Sequence, residues 1–456
     1  MQQKLSQPQL ITPTADITTA THGGRAKCLQ RLVRMDLPVP RTVALSFDTV
    51  HKIAAGTMPD MKALLEPFGP QPLLCVRPSS EDPDWGGPGA VLNVGMNDAL
   101  YVDLCDRIGT EAATAVYMRF VQGYAIHVAR LDPDMFDGLV LEGHEGLRQV
   151  LAAYEEETEE PFPQDPEVQL SGVLRSMARA WEGTTARLLR QAKGAPADAG
   201  LGLVVQAMAL GLGKGECGSG VIQLVSSFSG LPKITGRYRS QSQGRDALRK
   251  EGTSIYLARD PRGPSLEDLA PDAFAQLIDY TRQMRVRLRE EMQTEFTIEN
   301  GQVHVLDGVR IRRSSRAAVR IAVALAEDGI IPKEEAMLRI EPRAATEMLH
   351  RQVDPDVPRQ VIAHGIAASP GAAYGRIVFS SAAAQAAAAR GELCVLVRRE
   401  TTPEDIRGMH ASAAVLTERG GITSHAAVIA RGLGLPCVVG ASDMKVNLRR
   451  NTVTME

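Results

Sequence analysis

The residues of this chain best suited to chemistry lie near its C-terminus, where a histidine opens a helix-forming segment. Residues 417–432 read Thr-Glu-Arg-Gly-Gly-Ile-Thr-Ser-His-Ala-Ala-Val-Ile-Ala-Arg-Gly. The apolar residues 413–416 predict a strand, the two glycines predict a turn, and the alanine-rich stretch predicts a helix that begins at His425. The first turn of a helix stabilises an anion through its free N–H groups and its dipole. Neutral imidazole is nucleophilic, so we predict that His425 carries a phosphoryl group, with a capping or surface role as the alternative.

A second candidate group is built from charged residues in the first two thirds of the chain. Arg77 follows a predicted buried strand and precedes a Ser/Asp/Gly-rich loop, where its guanidinium would suit a phosphate or a structural ion pair. Glu295 lies at the start of a predicted hairpin and Asp307 directly after it, and the two would supply carboxylate oxygens for Mg²⁺. These residues therefore predict a nucleotide phosphate and metal site.

The hairpin register decides whether the two carboxylates can meet. A two-residue Asn300-Gly301 turn pairs Phe296 with Val305 and points Glu295 and Asp307 to opposite faces. A three-residue loop with the glycine in a bulge places both carboxylates on one face. The apolar pairing favours the two-residue turn, and this register argues against a metal pair.

Composition sets the class of protein. The chain has 456 residues, 44% of them hydrophobic, and a formal net charge of −3. This length predicts two to four domains, and the charge predicts neither a nucleic-acid nor a membrane partner. Its six cysteines form no Cys-x-x-Cys pair, and no apolar run approaches the ~20 residues of a membrane span. We therefore expect a cytoplasmic protein.

Predicted elements must position these residues. Strands are expected at 73–77, 91–94, 202–209, 220–226, 375–379 and 393–397, and a hairpin at 294–306. Helical segments are expected at 22–35, at 112–195 with an acidic, proline-containing break at 155–166, at 314–352 and at 382–389. The pattern Gly213-x-Gly215-x-x-Gly218 matches a dinucleotide fingerprint, but a strand-like run follows it instead of a helix. We interpret it as a glycine-rich hairpin loop.

The histidine segment resembles the phosphohistidine signature of the pyruvate, phosphate dikinase and phosphoenolpyruvate synthase family. Further similar segments are residues 37–40, 91–98, 119–122, 162–166, 295–299, 367–372 and 402–405. The resemblance covers about residues 20–450. It implies an ATP-grasp-like nucleotide domain, a swivelling phosphohistidine domain and a barrel for phosphoenolpyruvate or pyruvate. It also implies that ATP phosphorylates His425 and that Thr423 and Arg431 orient or neutralise the phosphate.

The chain departs from the family pattern around the nucleotide site. Gly23-Gly24-Arg25 stands where the family has Gly-Gly-Lys, and Asp307-Gly308-Val309 stands where it has Gln-Thr-Arg. Residues 79–86 carry three acids that would repel a triphosphate unless a metal ion lies between them. Gln293-Thr294-Glu295 replaces an Asp-x-Glu metal pattern. A barrel needs roughly 250 residues, and we expect none of them beyond residue 456. We therefore expect a separate chain to supply that domain.

The predicted fold class is a multidomain combination of α+β and α/β parts. Residues 1–308 form an ATP-grasp-like nucleotide-binding domain with a helical insertion at about 112–197. Residues 309–360 form a helical linker, and residues 361–456 form the swivelling phosphohistidine domain. The predicted cofactors are ATP and Mg²⁺, bound by Arg25, Arg77, Glu295 and Asp307, with the metal on the two carboxylates.

The predicted function is a dikinase-like phosphotransferase in which ATP phosphorylates His425. The predicted partners are ATP, a separate chain with a phosphoenolpyruvate/pyruvate domain and, as an open alternative, a second copy of this chain. Two other functions stay open at this stage. One is a non-catalytic regulatory or assembly protein with an altered ATP site, and the other is a phosphohistidine carrier that a partner phosphorylates.

Overall fold

The computed structural model describes residues 7–139, 142–243, 255–354 and 357–455. The chain divides into two compact units. The first comprises Met1–Val225 and Pro232–Ile311, and the second comprises Ser226–Leu231 and Arg312–Glu456. Residues 1–6, from the polar N-terminus, lie outside the described ranges.

Two antiparallel sheets run through the first unit. Their strands are β1 (Gln9–Leu10), β2 (Thr42–Leu45), β3 (Leu74–Ser80), β4 (Val91–Val94), β5 (Leu201–Ala207), β6 (Gly218–Val225), β7 (Pro232–Ser240), β8 (Met292–Glu299) and β9 (Gln302–Arg310). One sheet has the order β1-β2-β5-β3-β4 and the other has the order β7-β6-β8-β9. The central strand β5 reads Leu-Gly-Leu-Val-Val-Gln-Ala and is buried up to its last residue, as β-branched residues in a covered strand predict.

Helices cover the sheets of the first unit. They are α1 (Thr19–Arg34), α2 (Phe47–Ala54), α3 (Met61–Leu65), α4 (Asp98–Ile108), α5 (Thr110–Tyr124), α6 (Gly143–Thr158), α7 (Pro166–Glu182), α8 (Thr184–Ala192), α9 (Leu266–Leu269) and α10 (Pro271–Leu288). A large hydrophobic core joins α5 and α7 to the first sheet through Tyr117, Phe120 and Leu170. Each of these three side chains is buried, which fixes the helical layer on the sheet.

A mostly parallel sheet organises the second unit. Its strands are β10 (Ile366–Ser369), β11 (Arg376–Val378), β12 (Cys394–Arg398), β13 (Ala414–Thr417) and β14 (Cys437–Val439), and a separate hairpin contains β15 (Met444–Asn447) and β16 (Thr452–Met455). The sheet order is β10-β14-β13-β12-β11. Only β10 runs antiparallel to its neighbour within this sheet.

The helices of the second unit are α11 (Ser315–Glu327), α12 (Lys333–Leu338), α13 (Pro342–Met348), α14 (Ser381–Ala389), α15 (Ile406–His410) and α16 (His425–Leu433). Helix α14 follows β11, and α16 connects the parallel strands β13 and β14. Residues 355 and 356, which belong to the expected linker, lie outside the described ranges.

The mixed α/β, multidomain class predicted from the sequence is confirmed. The strand before the histidine segment spans Ala414–Thr417, and the helix after it begins at His425. The Gly213 to Gly218 segment does lead into a strand, but its interpretation as a hairpin loop is wrong. The strand before it, β5, pairs with β2 and β3, whereas β6 pairs with β7 and β8. The glycines therefore carry the chain from one sheet to another.

None of the helices in the described ranges combines the length and the apolar character that crossing a membrane requires.

Candidate functional site

The histidine lies at the first position of α16, directly after its N-cap residue. Ser424 has the extended backbone of an N-cap, and its Oγ accepts a hydrogen bond from Ala427 N at 3.4 Å. Gly420 has φ +113°, and a Cβ there would lie 3.0 Å from both Cβ and Oγ of Ser424. The turn between β13 and α16 therefore needs glycine at this point.

The structure adds a partner for the histidine that the sequence analysis missed. Thr401 Oγ1 lies 3.1 Å from Nδ1 of His425, and Thr401 is buried. Strands β12 and β13 are parallel neighbours, so the loops that follow them emerge at the same sheet edge. That edge brings together two residues 24 positions apart in the sequence. When Nδ1 carries the proton and donates it to Thr401, Nε2 holds the free lone pair.

The Thr401 loop is itself held by an ion pair. Asp405 Oδ2 accepts hydrogen bonds from Arg398 Nε at 3.1 Å and from Thr402 N at 3.0 Å. Asp405 is buried, and Arg398 also donates to Phe379 O at 3.0 Å. These contacts fix the segment that presents the Thr401 hydroxyl to the histidine.

A carboxylate also lies in the electrostatic environment of the histidine. The pKa of Glu404 is lowered, first by a hydrogen bond from the Thr402 side chain and, to a smaller extent, by His425. Residues 402–405 were quoted above only as a similar segment, and no chemistry was assigned to Thr401 or Glu404. The signal available in the sequence was their position within eight residues of the end of the strand predicted at 393–397.

The guanidinium of Arg431 binds backbone carbonyls and so fixes the loop that precedes His425. Its Nη2 donates to Ile422 O at 2.8 Å, and its Nη1 donates to Ala368 O at 3.3 Å. The guanidinium thus links the loop to β10. Thr423 is exposed two residues before His425. Phosphate contacts by Thr423 and Arg431 stay predictions.

In the first unit, the hairpin between β8 and β9 has the predicted two-residue turn but not the predicted facing of its carboxylates. Phe296 pairs with Val305, as expected. A register shift then leaves Leu306 as an extra residue, and Glu295 pairs directly with Asp307. The expectation that the two acids point to opposite faces is wrong, because the bulge at Leu306 places both side chains on the same face of the hairpin.

The four charged residues proposed for the nucleotide site converge there. Arg25 Nε lies 2.6 Å from Asp307 Oδ2, and Arg77 forms an ion pair with Glu295. Arg77 Nη2 is also 3.6 Å from Asp307 Oδ2, and its Nη1 donates to the bulge carbonyl of Leu306 at 3.0 Å. Two guanidinium groups and two carboxylates are therefore paired with each other.

Burial strengthens these ion pairs. The Asp307 side chain is 2% exposed and the Arg77 side chain 11% exposed. Burial acts to lower the pKa of Arg77, but the charges of Glu295 and Asp307 outweigh it and raise that pKa. The arginine is thus charged at every physiological pH, and each carboxylate has a cationic partner.

A backbone kink places Arg25 in this cluster. Gly23 interrupts α1 with φ +84°, and a Cβ there would lie only 1.9 Å from Ser79 O. Arg25 then donates to Pro78 O, next to Arg77 in β3. Arg25 and Asp307 are two of the positions where the chain departs from the family pattern, and they contact each other. The two departures are therefore complementary in charge.

The donor set suits Mg²⁺ only in part. Proteins bind Mg²⁺ through one or two carboxylates together with phosphate and water oxygens, and Glu295 with Asp307 supplies that number. Both carboxylates already accept from arginines. Across the described ranges, no group of three or more His, Cys, Asp or Glu side chains is arranged to hold a metal ion.

Comparison with known proteins finds one matching family model and several curated relatives. The family model of the PEP-utilising enzyme, mobile domain, matches residues 391–456. Pyruvate, phosphate dikinase of Rhizobium meliloti (strain 1021) is 38% identical over 401 residues, which is 83% of this chain and 45% of that protein. The Clostridium symbiosum protein of the same name is 34% identical over 402 residues, with the same two shares.

A plant relative gives a similar match. Pyruvate, phosphate dikinase 2 of Oryza sativa subsp. japonica is 32% identical over 394 residues, which is 82% of this chain and 44% of the plant protein. The chain thus spans about half the length of the curated relatives it matches. It is a homologue of the pyruvate, phosphate dikinases over 83% of its own length, with a PEP-utilising enzyme mobile domain at residues 391–456.

Proposed function

We propose that this chain is a pyruvate, phosphate dikinase-like phosphotransferase in which ATP phosphorylates His425. The observation that carries the proposal is the position of His425 in the first turn of α16, with Nδ1 3.1 Å from Thr401 Oγ1. The names of the relatives support the reaction class. The match covers 45% of each of the two bacterial relatives. The activity of those whole proteins is therefore a proposal for this chain.

In the proposed step, the lone pair of Nε2 attacks a phosphorus atom of ATP. An N–P bond forms, and the P–O bond to the departing nucleotide oxygen breaks. The proton on Nδ1 stays on the ring and is held by Thr401. The phosphoryl group then lies near the N-terminus of α16, where the helix dipole stabilises an anion by about 0.3–1 kcal/mol.

Residues 1–308 are proposed as the ATP-grasp-like nucleotide-binding domain, with the helical insertion at about 112–197. Arg25 and Arg77 would contact nucleotide phosphates, and Glu295 with Asp307 would hold Mg²⁺. The metal would neutralise negative charge on the phosphates. The arginines and carboxylates pair with each other in this structure. They must therefore exchange these partners before the phosphates and Mg²⁺ can bind.

Residues 309–360 are proposed as the linker and residues 361–456 as the swivelling domain that carries the phosphoryl group away. Thr423 and Arg431 would then orient or neutralise the phosphate on His425. The receiving site is proposed to lie on another chain that binds phosphoenolpyruvate or pyruvate. A second copy of this chain is a further proposed partner.

The test of this function is labelling of the full-length chain with ATP and Mg²⁺. ATP carrying ³²P at the β or the γ position is used in separate reactions, so that transfer of either group is detected. We expect an acid-labile, base-stable label that His425→Ala abolishes. His410→Ala is the matched control, since His410 is an exposed histidine of the same unit. Absence of label from both nucleotides would refute the proposal.

One observation favours a second candidate function. The charged groups of the proposed nucleotide site satisfy one another, so a carrier histidine phosphorylated by a partner is also consistent with this structure. Such a carrier would take label from phosphoenolpyruvate in a cell extract and not from ATP. It would also show no thermal shift with ATP and Mg²⁺, whereas a ligand at 100 times its Kd stabilises a protein by about 2.7 kcal/mol.

A further inference from the structure

The two loops that lead to His425 and Thr401 meet the hairpin of β15 and β16 at a single residue, Val446 of β15. Its N–H donates to Oε2 of Glu418 at 2.9 Å, and its carbonyl accepts from Nε of Arg399 at 2.9 Å. Glu418 directly follows β13, and Arg399 directly follows β12. The base of each loop is therefore tied to the same point of the hairpin.

The position of Val446 explains why one residue can hold both loops. Strand β15 pairs antiparallel with β16, and in an antiparallel strand the N–H and C=O groups of one residue point to the same side. Glu418 and Arg399 therefore approach β15 from one side. Val446 is buried, so its backbone polar groups need partners within the protein. The two side chains supply those partners, and each contact thus meets a requirement of the fold.

The loops are also bonded to each other. Glu418 N donates to Arg398 O at 3.1 Å, and Arg419 N donates to Arg399 O at 2.9 Å. These bonds extend the pairing of β12 with β13 into the loops. A displacement of either loop is thus transmitted to the other, and the contact between the threonine hydroxyl and the histidine ring lies beyond this shared base.

The carboxylate of Glu418 makes its contacts from a buried position. Its side chain is 8% exposed, and Oε1 lies 3.9 Å from Nε of Arg419, whose side chain is 69% exposed. An ion pair of that length with an exposed arginine contributes little. The hydrogen bond from the buried Val446 amide is the stronger contact, and its loss would leave that donor without this acceptor. An uncharged acceptor of similar shape can therefore take the place of the carboxylate.

We propose that Glu418 and Arg399 are positioning residues for the carrier histidine. By fixing the two loops on Val446, they hold the Thr401 hydroxyl next to the His425 ring. They act through the backbone of their loops and not on the ring itself. The inference rests on the proposed function for the phosphorylation step that it assists, whereas the anchoring of the loops can be measured without that step.

Three variants of the full-length chain and one matched control test this role. Glu418→Leu removes the acceptor, Glu418→Gln keeps an acceptor oxygen, and Arg399→Met removes the second contact of Val446. Ser412→Ala is the control, because Ser412 is buried in the same unit and its Oγ donates to Gly408 O at 2.7 Å. Ser412 precedes β13, whereas Glu418 follows it, so the control bond lies at the opposite end of that strand.

Two quantities are measured for each protein. One is hydrogen exchange of residues 399–402 and 418–424, and the other is the single-turnover rate at which ATP and Mg²⁺ label the carrier histidine, with ³²P at the β or the γ position. For Glu418→Leu and Arg399→Met, we expect faster exchange in both segments and a labelling rate at saturating ATP that falls at least about threefold. The ATP concentration for half-maximal rate should not change, because the nucleotide is proposed to bind the first unit. Glu418→Gln and Ser412→Ala should match the wild type in both quantities.

The outcomes separate the two proposals. Wild-type exchange, or a wild-type labelling rate, in both Glu418→Leu and Arg399→Met overturns the positioning role and leaves ATP-dependent phosphorylation intact. An equal loss of labelling in Ser412→Ala also overturns it, because general destabilisation would then explain the rate. Wild-type protein that takes no label from either nucleotide overturns the ATP-dependent function, and exchange of the two segments alone then decides whether the hairpin anchors the loops.

Circular dichroism of each variant verifies that the fold is retained. If Glu418→Leu does not fold, Arg399→Met carries the test, since it changes an exposed residue.

Discussion

At the scale of single residues, the Thr401 hydroxyl lies 3.1 Å from Nδ1 of His425, within hydrogen-bond distance. An imidazole whose Nδ1 donates to an oxygen has its lone pair on Nε2. Thr401 is buried, and the Asp405 carboxylate anchors its loop to Arg398. The hydroxyl is therefore presented to the ring from a fixed direction.

Replacement of that hydroxyl should slow phosphorylation of the histidine. Thr401→Val keeps the side-chain shape and removes one hydrogen bond of about 0.5–1.5 kcal/mol, so we expect a loss of about two- to tenfold in rate. The measurements are the labelling rate and the ¹⁵N shifts of the His425 ring, which report its tautomer. Thr401→Ser should retain both. Unchanged shifts in the valine variant would show that the contact does not set the tautomer.

At the scale of elements, the start of α16 is both a stability feature and part of the proposed site. Ser424 caps this nine-residue helix, and Ser380 caps the nine-residue helix α14 in the same way, with Oγ 3.2 Å from Ala383 N. The two caps lie in one unit and have the same chemistry. They differ in that only the helix after Ser424 begins with the proposed carrier histidine.

These two caps provide a matched pair of substitutions. Ser424→Ala and Ser380→Ala should each destabilise the second unit by about 1 kcal/mol, as measured by urea unfolding. We expect only Ser424→Ala to lower the rate at which His425 is labelled, because its cap orders the turn that presents the ring. A similar loss of labelling in both variants would mean that general destabilisation, and not local order, sets the rate.

A second element-scale prediction concerns the kink of α1. Gly23 has φ +84°, and an added Cβ would meet Ser79 O at 1.9 Å, whereas Gly56 has φ +104° and no atom within 4 Å of an added Cβ. Gly56→Ala should therefore cost only the backbone strain of about 1–2 kcal/mol. Gly23→Ala should cost at least about 3 kcal/mol, because strain and collision combine. Equal urea midpoints for the two variants would contradict this.

At the scale of the whole molecule, the sequence predicted contiguous features better than contacts between distant segments. The strand, turn and helix around His425 are coded within residues 413–433, and the structure has them there. The contact with Thr401 depends on parallel pairing of two strands, which no local pattern specifies. The bulge at Leu306 was missed because apolar pairing at the hairpin tip says nothing about register at its base.

Stability against pH is also a property of the whole molecule. Burial lowers the pKa of His22, which Asp16 offsets only in part, and burial likewise lowers the pKa of His304, with a partial offset from Glu299. His22 is fully buried, and its Nε2 has no hydrogen-bond partner among the described residues. Both histidines therefore resist protonation in the folded state more than in the unfolded state.

This difference sets the direction of the pH dependence. Well above pH 6.5, the ordinary histidine pKa, both histidines are neutral in the folded and the unfolded state, and they do not reduce stability. Below it the unfolded chain gains protons that the folded chain does not, so stability falls until the pH passes the lowered pKa values. We expect the urea midpoint to drop less between pH 7.5 and 5.5 in His22→Gln than in the wild type. His127→Gln, which changes an exposed histidine, should behave as the wild type does.

The extra residue at Leu306 has an evolutionary consequence. A deletion of that one codon would turn Asp307 away from Arg25 and Arg77, while the pairing of Phe296 with Val305 at the hairpin tip would persist. Reinsertion of one codon after such a deletion would restore the present facing of Asp307. Descendants of this gene can therefore lose or regain the contact of Asp307 with the two arginines through a single in-frame length change. The apolar pairing at the hairpin tip need not change.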